Sequence, residues 1–428
     1  MSVAPGKRDK FYALADSAGR SMFRLLSAIL VARLCGPAMY AVYVLCITIE
    51  TVATAIPNAV NLSPMLSIGP GLQDDCREGF LWRVARRHVR WSAWLALFGA
   101  LLAPLLVDEP LGAWPWLAFG AALFASGAVN AARSRQQARF RSRSVFWADF
   151  GGLMLPLLVA LSLHDASPQV LLTGYFAATA VGFGLAALAM NRQRPASTAV
   201  PDDVLGRFHR MGPPMATGSV ANSVCSRVQP FVLQAAAGAG AVGVFGAAAT
   251  TIGPMRLLAM ALSSVARPRL ALFAGHADQR GAWRMLNKVC LLLGGCGVAG
   301  VVGALLLGEW LVDMVFGPEF APVGQLLPLA FVFASLEATA AVMVVALQTL
   351  RENGAAAATR LRVGVSVLAL VIVWPACSYA SAAGAFAALC ATELLFLVLA
   401  VIAIRQPRSV PGSAQLEAAA TAERVGSA

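Results

Sequence analysis

Long apolar segments constrain the fold of this sequence more than any other feature. A helix needs about 20 mostly apolar residues to cross the hydrocarbon core of a bilayer. Twelve segments of roughly this length lie at 14–35, 39–60, 91–107, 112–132, 145–163, 168–190, 212–236, 242–266, 288–307, 325–349, 360–379 and 384–404. They are too long and too evenly apolar for barrel strands, and lipid offers no partner to an open backbone. The sequence therefore predicts an all-α polytopic membrane protein with twelve transmembrane helices.

The composition excludes several classes of protein. Hydrophobic residues make up 58% of the chain and charged residues only 13%, against about 25% charged in an ordinary soluble domain. A soluble globular enzyme, a disordered protein and a nucleic-acid-binding protein are therefore not expected. The eight Cys form no C-x-x-C pair and the four His lie away from them. We therefore expect neither a zinc site nor a disulfide framework, and no cofactor.

The basic residues alternate between the two sides of the predicted membrane. Of the 33 Lys and Arg, 30 fall near the N-terminus, in or beside the connections that follow even-numbered segments, or in the C-terminal tail. The opposite connections carry no Lys or Arg and hold acids such as Asp108, Glu109 and Asp165. Since Lys and Arg accumulate in cytoplasmic loops, this pattern predicts that both termini are cytoplasmic.

A weak internal repeat divides the chain into two halves. The stretch Gly36–Tyr43 overlies Gly238–Phe245 at an offset of about 202 residues, each at the short turn between the first two helices of a half. Six helices per half predict parallel repeats related by an axis along the membrane normal. We expect a cytoplasmic N-terminal segment at 1–13, an N-lobe at 14–190, a cytoplasmic linker at 191–211, a C-lobe at 212–404 and a disordered cytoplasmic tail at 405–428.

Polar side chains mark four helices, the first two of each predicted lobe. Their spacing of three and four residues places most of them on one face of each helix. They include Asn58 in the second segment, and Asn222 and Ser223 in the seventh. Matched polar faces in two lobes favour a shared aqueous cavity between the lobes. The alternative is interhelical hydrogen bonding, which is common for Ser and Thr in membranes.

Arginines at membrane depth favour the cavity. At a rise of about 1.5 Å per residue, Arg227 and Arg256 lie about 14 and about 15 Å from an end of their segments, near the midplane. A central Arg costs at least about 2.5–3.5 kcal/mol, so it must face water, a counter-ion or an anionic ligand. Arg20 and Arg24 lie closer to the cytoplasmic side. There, a side chain that reaches out to the interface explains them as well as ligand binding does.

Four acids also lie within the predicted helices. Glu50, Glu337 and Glu393 lie at depth, and Asp149 lies nearer an inner end. In one interpretation these acids pair with the Arg residues and cancel their charge. In the other, the Arg residues hold an anionic headgroup while one of the acids carries a coupling proton. The residues alone leave both interpretations open.

Three short motifs resemble those of bacterial polysaccharide flippases. Ala32–Tyr43 (ARLCGPAMYAVY) resembles the ARLLGPxxFGLY opening of those proteins, although Ala41 stands where they usually have Gly. Phe316–Phe320 (FGPEF) resembles their FGPxY element before the tenth helix, and Val242–Phe245 is similar to their turn between the seventh and eighth helices. Length, helix count and lobe division extend the resemblance over the whole chain. The resemblance is to the Wzx-type branch of the multidrug/oligosaccharidyl-lipid/polysaccharide exporter (MOP) superfamily.

This resemblance implies a V-shaped exporter in the bacterial inner membrane, not an enzyme. The implied substrate is an undecaprenyl-diphosphate-linked oligosaccharide, moved by alternating access for the synthesis of O-antigen, capsule or exopolysaccharide. A polysaccharide polymerase with its chain-length machinery is an implied partner. The residues expected to hold the diphosphate in the cavity are Arg227, Arg256, Arg24, Arg20, Asn222, Ser223 and Asn58.

Other activities remain open. An ion-coupled exporter of drugs or other small molecules, from the same superfamily, would expose acids in the cavity, as Glu50, Glu337 and Glu393 could be. A lipid II flippase often has two further helices beyond twelve. A membrane glycosyltransferase needs a large outer loop with basic residues, and the longest outer connection, 308–324, has no Lys or Arg.

Overall fold

The computed structural model describes residues 7–405, apart from 108, 110, 140, 192–199, 276–277 and 352–353. The described residues form helices joined by short turns and contain no β-strand. Large apolar side chains cover the outside of the bundle, and Leu105, Leu291 and Leu306 are 75–76% exposed. An apolar surface of this extent is stable against lipid and not against water. The prediction of an all-α, multi-pass membrane protein is confirmed.

The first half of the chain contains six helices. The helical run Lys7–Pro57 is broken at Gly36, where φ is 71° and ψ is 173°, a conformation that L side chains rarely adopt. The break divides the run into α1 (7–35) and α2 (37–57), and α2 continues through a π-helical turn at Asn58–Leu62 into Ser63–Ile68. The next four helices are α3 (Asp74–Leu106), α4 (Ala113–Ala138), α5 (Ser142–Ser162) and α6 (Pro168–Met190).

The second half repeats this pattern. The runs Asp202–Arg227, Gln229–Thr251 and Gly253–Gly275 follow one another, and the middle run is broken at Gly238, where φ is 81° and ψ is 177°. They form α7 (202–237), bent at Val228, and α8 (239–275), bent at Ile252. The next two helices are α9 (Gln279–Phe316) and α10 (Ala321–Leu350). The last run, Gly354–Arg405, is broken at Ala380 and Ser381, which divides it into α11 (354–379) and α12 (382–405).

The helix count agrees with the twelve predicted spans. Within the described residues, nine helices are long and apolar enough to cross a membrane. Two of these, Ala18–Gly71 and Ala356–Arg405, are 54 and 50 residues long, and each folds into two crossings at its break. A third, Gln229–Thr251, contributes the end of α7 and the start of α8. The breaks at Gly36, Gly238 and Ala380–Ser381 all fall in predicted gaps between spans.

Several helices extend beyond the predicted spans. The spans 91–107, 212–236, 242–266 and 288–307 are parts of the longer helices α3, α7, α8 and α9. Hydropathy detects only the turns that face lipid, whereas a helix continues into a polar flank if one side of that flank is buried. In α3, Phe80, Leu81 and Val84 supply that buried side. For the same reason, part of the predicted linker 191–211 is helical, because α7 already begins at Asp202.

The helices pack into two groups that follow the two halves of the chain. In the first half, α4 packs on α3 and α6, and α5 packs on α6 and α1. In the second half, α10 lies at the centre and packs on α8, α9 and the α11–α12 pair. The exact lobe boundaries stay a prediction.

The two groups meet at both ends of the bundle. We call the end with Gly36, Gly238 and Gly317 the acidic end, and the end with Arg83 and Arg139 the basic end. At the acidic end, the Tyr40 and Thr250 hydroxyls share a hydrogen bond of 3.0 Å, Arg33 donates to the Met314 carbonyl at 3.1 Å, and Gly243 lies against the Pro37 carbonyl.

At the basic end, α7 crosses from the second half onto the first. The Phe208 ring packs edge-on against Phe80, with a centroid distance of 5.8 Å. A Cβ on Gly212 would lie 3.1 Å from the Val60 carbonyl oxygen, in the π-helical turn of α2. These contacts hold the start of α7 beside α2 and α3.

Candidate functional site

A central cavity of about 710 Å³ lies between the two groups of helices. It is bounded by α1, α2, α5 and α6 on one side and by α7, α8, α10, α11 and α12 on the other, with single-turn contributions from α4. Tyr40, Phe245 and Thr250 line it where the groups meet at the acidic end. Its charged lining consists of four Arg and three Glu: Arg24, Glu50, Arg227, Arg256, Glu337, Arg362 and Glu393.

Two of the four cavity arginines are paired with an acid. Arg256 on α8 donates from Nε to Oε2 of Glu337 on α10 at 2.7 Å. Arg362 on α11 donates from NH1 to Oε2 of Glu393 on α12, also at 2.7 Å. For these two residues, the interpretation that acids cancel the buried Arg charge describes the structure.

The other two arginines differ. Among the described residues, neither Arg24 nor Arg227 has an acidic side chain within ion-pair distance. Arg227 lies within electrostatic range of Arg24 and Arg256, and among the described residues the acid in that range is Glu337. Arg227 and Arg256 therefore share one acid, which leaves this part of the cavity positive.

The position of Arg227 follows from a proline. Pro230 has no N–H to donate to the preceding turn, and its ring crowds the carbonyl four residues earlier. The helix Asp202–Arg227 ends there, and a new helix starts at Gln229. Arg227 is thus the last residue before the bend of α7, and its side chain is exposed to the cavity.

Glu50 is the cavity acid of the first half. The Ser126 hydroxyl on α4 donates to its Oε1 at 2.5 Å. No Lys or Arg of the described residues lies within ion-pair distance of this carboxylate. Tyr175 and Cys46 lie close enough to interact electrostatically with the Glu50 carboxylate.

Arg20 and Asp149 lie together and are not among the residues that line the cavity. Arg20 Nε is 3.5 Å from Asp16 and 3.9 Å from Asp149, and Arg133 on α4 donates from Nε to Asp149 at 2.8 Å. The sequence analysis did not single out Asp16 or Arg133. The spacing of Asp16 and Arg20, four residues apart on α1, is a signal for that pair, whereas nothing local predicts the contact of Arg133 with Asp149.

The predicted polar residues of α2 and α7 are placed as follows. Asn58 begins the π-helical turn of α2, is absent from the cavity lining, and has a buried Oδ1 without a partner among the described residues. Ser223 is half-buried on α7 and makes a contact within the protein. The side chain of Asn222 lies outside the described part of the structure.

Several lining residues were not predicted. Arg362 is counted in the sequence among the basic residues that flank a connection, but it lies inside α11 and faces the cavity. Hydroxyl and amide groups complete the lining. Four of them belong to the polar helix faces predicted from the sequence; they are Ser21, Ser27, Thr51 and Thr250. The others were not predicted; they are Tyr40, Tyr43, Thr48, Tyr175, Thr179, Gln229, Ser366 and Thr392. Within the described residues, no group of three or more His, Cys, Asp or Glu could hold a metal ion.

No protein-family model matches the sequence. Two uncharacterized proteins, from Mycobacterium tuberculosis strains CDC 1551 and H37Rv, are each 29% identical over 221 residues, which is 50% of this chain and 48% of theirs. The chain thus aligns with about half the length of these curated relatives.

Solved structures show a more extensive likeness. An inward-facing multidrug resistance MATE transporter of the MOP superfamily superimposes with a TM-score of 0.72 at 13% identity, covering 90% of this chain and 92% of that one. The lipid II flippase MurJ, in an inward closed conformation, gives 0.72 at 10% identity over 92% and 87%. A MOP superfamily transporter from Pyrococcus furiosus, described as having a binding pocket of reverse polarity, gives 0.58 at 14% identity over 92% of each chain. These likenesses show that the chain has the fold of the MOP exporters.

Proposed function

We propose that this protein with the MOP exporter fold is a flippase for undecaprenyl-diphosphate-linked oligosaccharides. In this proposal the basic end faces the cytoplasm of a bacterium, as the distribution of Lys and Arg favours. The substrate enters the central cavity with its diphosphate and sugars, while its polyprenyl chain stays in the bilayer. The two groups of helices then rock to expose the cavity on the opposite side.

The observation that carries the proposal is the pair of uncompensated arginines, Arg24 and Arg227, in the central cavity. A diphosphate cannot cross hydrocarbon unaided, and a cation at membrane depth is costly unless it faces water or an anion. Each group therefore compensates the other. Arg suits this role because it is always charged and donates several hydrogen bonds in a planar fork.

The rest of the lining suits a glycan. Tyrosine, threonine, serine and glutamine side chains surround the arginines and offer hydrogen-bond donors and acceptors to sugar hydroxyls. The contacts of Tyr40, Thr250, Gly243 and Pro37 close the acidic end.

A small-molecule exporter is the second candidate. The MATE transporter is as similar in fold as the lipid II flippase. Glu50 also faces the cavity without a cationic partner among the described residues, which would suit a cationic drug. The greater number of Arg than of Glu in the cavity favours the anionic substrate.

A deletion strain tests the proposal. We expect it to accumulate undecaprenyl-diphosphate-linked oligosaccharide and to lose a surface polysaccharide, and the stalled lipid-linked sugar would identify the substrate. A plasmid copy of the wild-type gene should restore both, and a copy carrying Arg227→Ala should restore neither. Normal lipid intermediates together with lost drug resistance would instead establish the small-molecule exporter.

Two further proposals concern the surroundings of the protein. We place it in the bacterial inner membrane with both termini in the cytoplasm. A polymerase with its chain-length machinery would take over the translocated oligosaccharide on the other side. Two fusions of a reporter that is active only in the periplasm test the orientation. The fusion after residue 165 should be active, and the fusion after residue 405 should be inactive because this end is proposed to be cytoplasmic.

A further inference from the structure

Glu337 is the acid that two of the cavity arginines, Arg256 and Arg227, share. It accepts a hydrogen bond from Arg256 at 2.7 Å and lies within electrostatic range of Arg227. Its side chain is 28% exposed and that of Arg256 is 35% exposed, so both remain open to the cavity. A carboxylate thus lies where an anionic ligand of the same arginines would have to bind.

The second ion pair of the cavity is built differently. The side chains of Arg362 and Glu393 are 22% and 11% exposed, and the Arg362 guanidinium also lies over the Phe396 ring at 4.9 Å. This guanidinium is held from two sides. In contrast, Arg256 bonds to Glu337 only through Nε, and the described residues provide no other hydrogen bond to that guanidinium. Arg256 can therefore exchange its partner at lower cost than Arg362 can.

We propose that Glu337 is a resident counter-ion, which the diphosphate displaces from Arg256 and which takes up a proton as the substrate binds. This inference rests on the proposed function. In the empty cavity, the carboxylate neutralises Arg256 and shields Arg227. When the diphosphate arrives, its two negative charges bind these arginines in place of the carboxylate.

Proton uptake follows from the repulsion between like charges. A carboxylate next to a bound diphosphate is disfavoured relative to the neutral acid. The charged groups that face Glu337 are Arg256 on α8, Arg227 on α7 and Glu393 on α12. Arg24 of α1 lies near Arg227, and Glu393 is paired with Arg362 of α11. Once the diphosphate occupies the arginines, no free cation in this group remains for Glu337. A proton from water then converts the carboxylate to the acid, and the acid returns the proton to water when the diphosphate leaves.

This exchange gives the site a means of release. Arginines that bind a diphosphate tightly also release it slowly, since most differences in affinity lie in the dissociation rate. A carboxylate that ionises beside the bound ligand competes for Arg256 and repels the diphosphate. Because binding takes up a proton, affinity for the anion should be higher at low pH and lower at high pH.

Calorimetric titration of the purified full-length protein with a soluble dialkyl diphosphate diester tests this linkage. The two charges of such a diester do not change between about pH 5 and about pH 8. We expect the wild type to bind at least tenfold more weakly at the higher pH. The variant Glu337→Gln should bind equally well at both, with an affinity close to that of the wild type at the lower pH.

The matched control is Glu393→Gln, which neutralises the other paired acid of the same cavity and should keep the pH dependence. The inference is overturned if Glu337→Gln retains the pH dependence of the wild type, or if Glu393→Gln abolishes it. Titration of the wild type in two buffers of different ionisation enthalpy gives the proton uptake without any variant, and binding without proton uptake also overturns it. No binding of the diester at either pH refutes the proposed function itself, whereas binding without the linkage refutes only the role of Glu337.

Discussion

Arg227 and Arg362 line the same cavity but have different surroundings. Arg227 is exposed to the cavity at the bend of α7 and has no acid within ion-pair distance among the described residues. Arg362 is paired with Glu393 and lies over the Phe396 ring. Under the proposed function, loss of the Arg227 side chain removes a ligand-binding group, whereas loss of the Arg362 side chain leaves Glu393 unpaired. The two residues therefore allow binding and stability to be tested separately.

The variant Arg227→Ala should insert and unfold like the wild type but lose at least nine-tenths of its transport. Arg227→Lys should recover only part of the loss, because Lys lacks the planar fork that matches a phosphate. Surface polysaccharide and lipid-linked intermediates in the complemented deletion strain measure transport, and thermal unfolding in detergent measures stability. Wild-type transport by a variant that lacks both Arg227 and Arg256 would contradict the diphosphate role.

The variant Arg362→Ala should instead lower stability. Removing one partner of a buried ion pair costs about 3–5 kcal/mol, and the partial exposure of this pair reduces the expectation to about 1–3 kcal/mol. The midpoint of thermal unfolding should fall. Adding Glu393→Gln should restore most of the lost stability, because no buried charge then remains unpaired. If the double variant loses as much stability as the two single variants lose together, the two residues are not coupled.

The sequence predicts which residues lie at depth but not how they pair. A central Arg is visible in a single apolar segment, so Arg227 and Arg256 could be identified as candidates. The partners Glu337 and Glu393 are 81 and 31 residues away from their arginines, and no local spacing connects them. Arg362 was assigned to a flank because the start of α11 is polar, and hydropathy does not show that this turn is already inside the bundle.

Two glycines set the geometry of the helical elements at the acidic end. Gly36 and Gly238 have nearly the same backbone angles, and each reverses the chain between the first two helices of its half. Their shared conformation is the clearest structural trace of the repeat in the sequence. The turn could be predicted because glycine is nearly alone in tolerating positive φ with extended ψ. The π-helical turn at Asn58–Leu62 could not, since it depends on packing against α7.

The variant Gly238→Ala should lower stability through backbone strain alone. A Cβ at this position would meet no atom within 4 Å, so the whole effect comes from the φ of 81°, at about 1–3 kcal/mol. Gly240 is a matched control, because a Cβ there also meets no atom and no positive φ is involved. Gly240→Ala should leave the unfolding midpoint unchanged or raise it slightly. Equal midpoints for the two variants would refute the strain.

At the scale of the whole molecule, the conformation depends on how closely the two groups of helices approach. Gly243 lies against the Pro37 carbonyl, and Gly246 lies against Val44 and Tyr40. Such approaches of small residues bring helix backbones together in membranes. Because they join α8 to α2 at the acidic end, they stabilise the closed form of that end.

The variant Gly243→Leu should shift the molecule towards a form that is open at the acidic end. Its side chain would occupy the space that the Pro37 carbonyl now fills. A cysteine introduced by Thr250→Cys, in a background without native Cys, reports the change through labelling by an impermeant maleimide from the outside. We expect at least a fivefold faster reaction than with Gly243 intact. Gly240→Leu in the same background is the control and should leave the rate unchanged.

The contacts at the acidic end also bear on the electrical insulation of the membrane. Tyr40 packs edge-on against Phe320, and Gly243 lies against the Pro37 carbonyl. A close contact between largely apolar groups disfavours a continuous column of water. Each elementary charge that leaked through would dissipate about 2.3 kcal/mol per 100 mV of membrane potential. A glycan as bulky as the proposed cargo needs a wide passage, so one end has to be watertight whenever the other is open. We expect variants that loosen these contacts to slow growth by ion leakage, even where the glycan still reaches the surface.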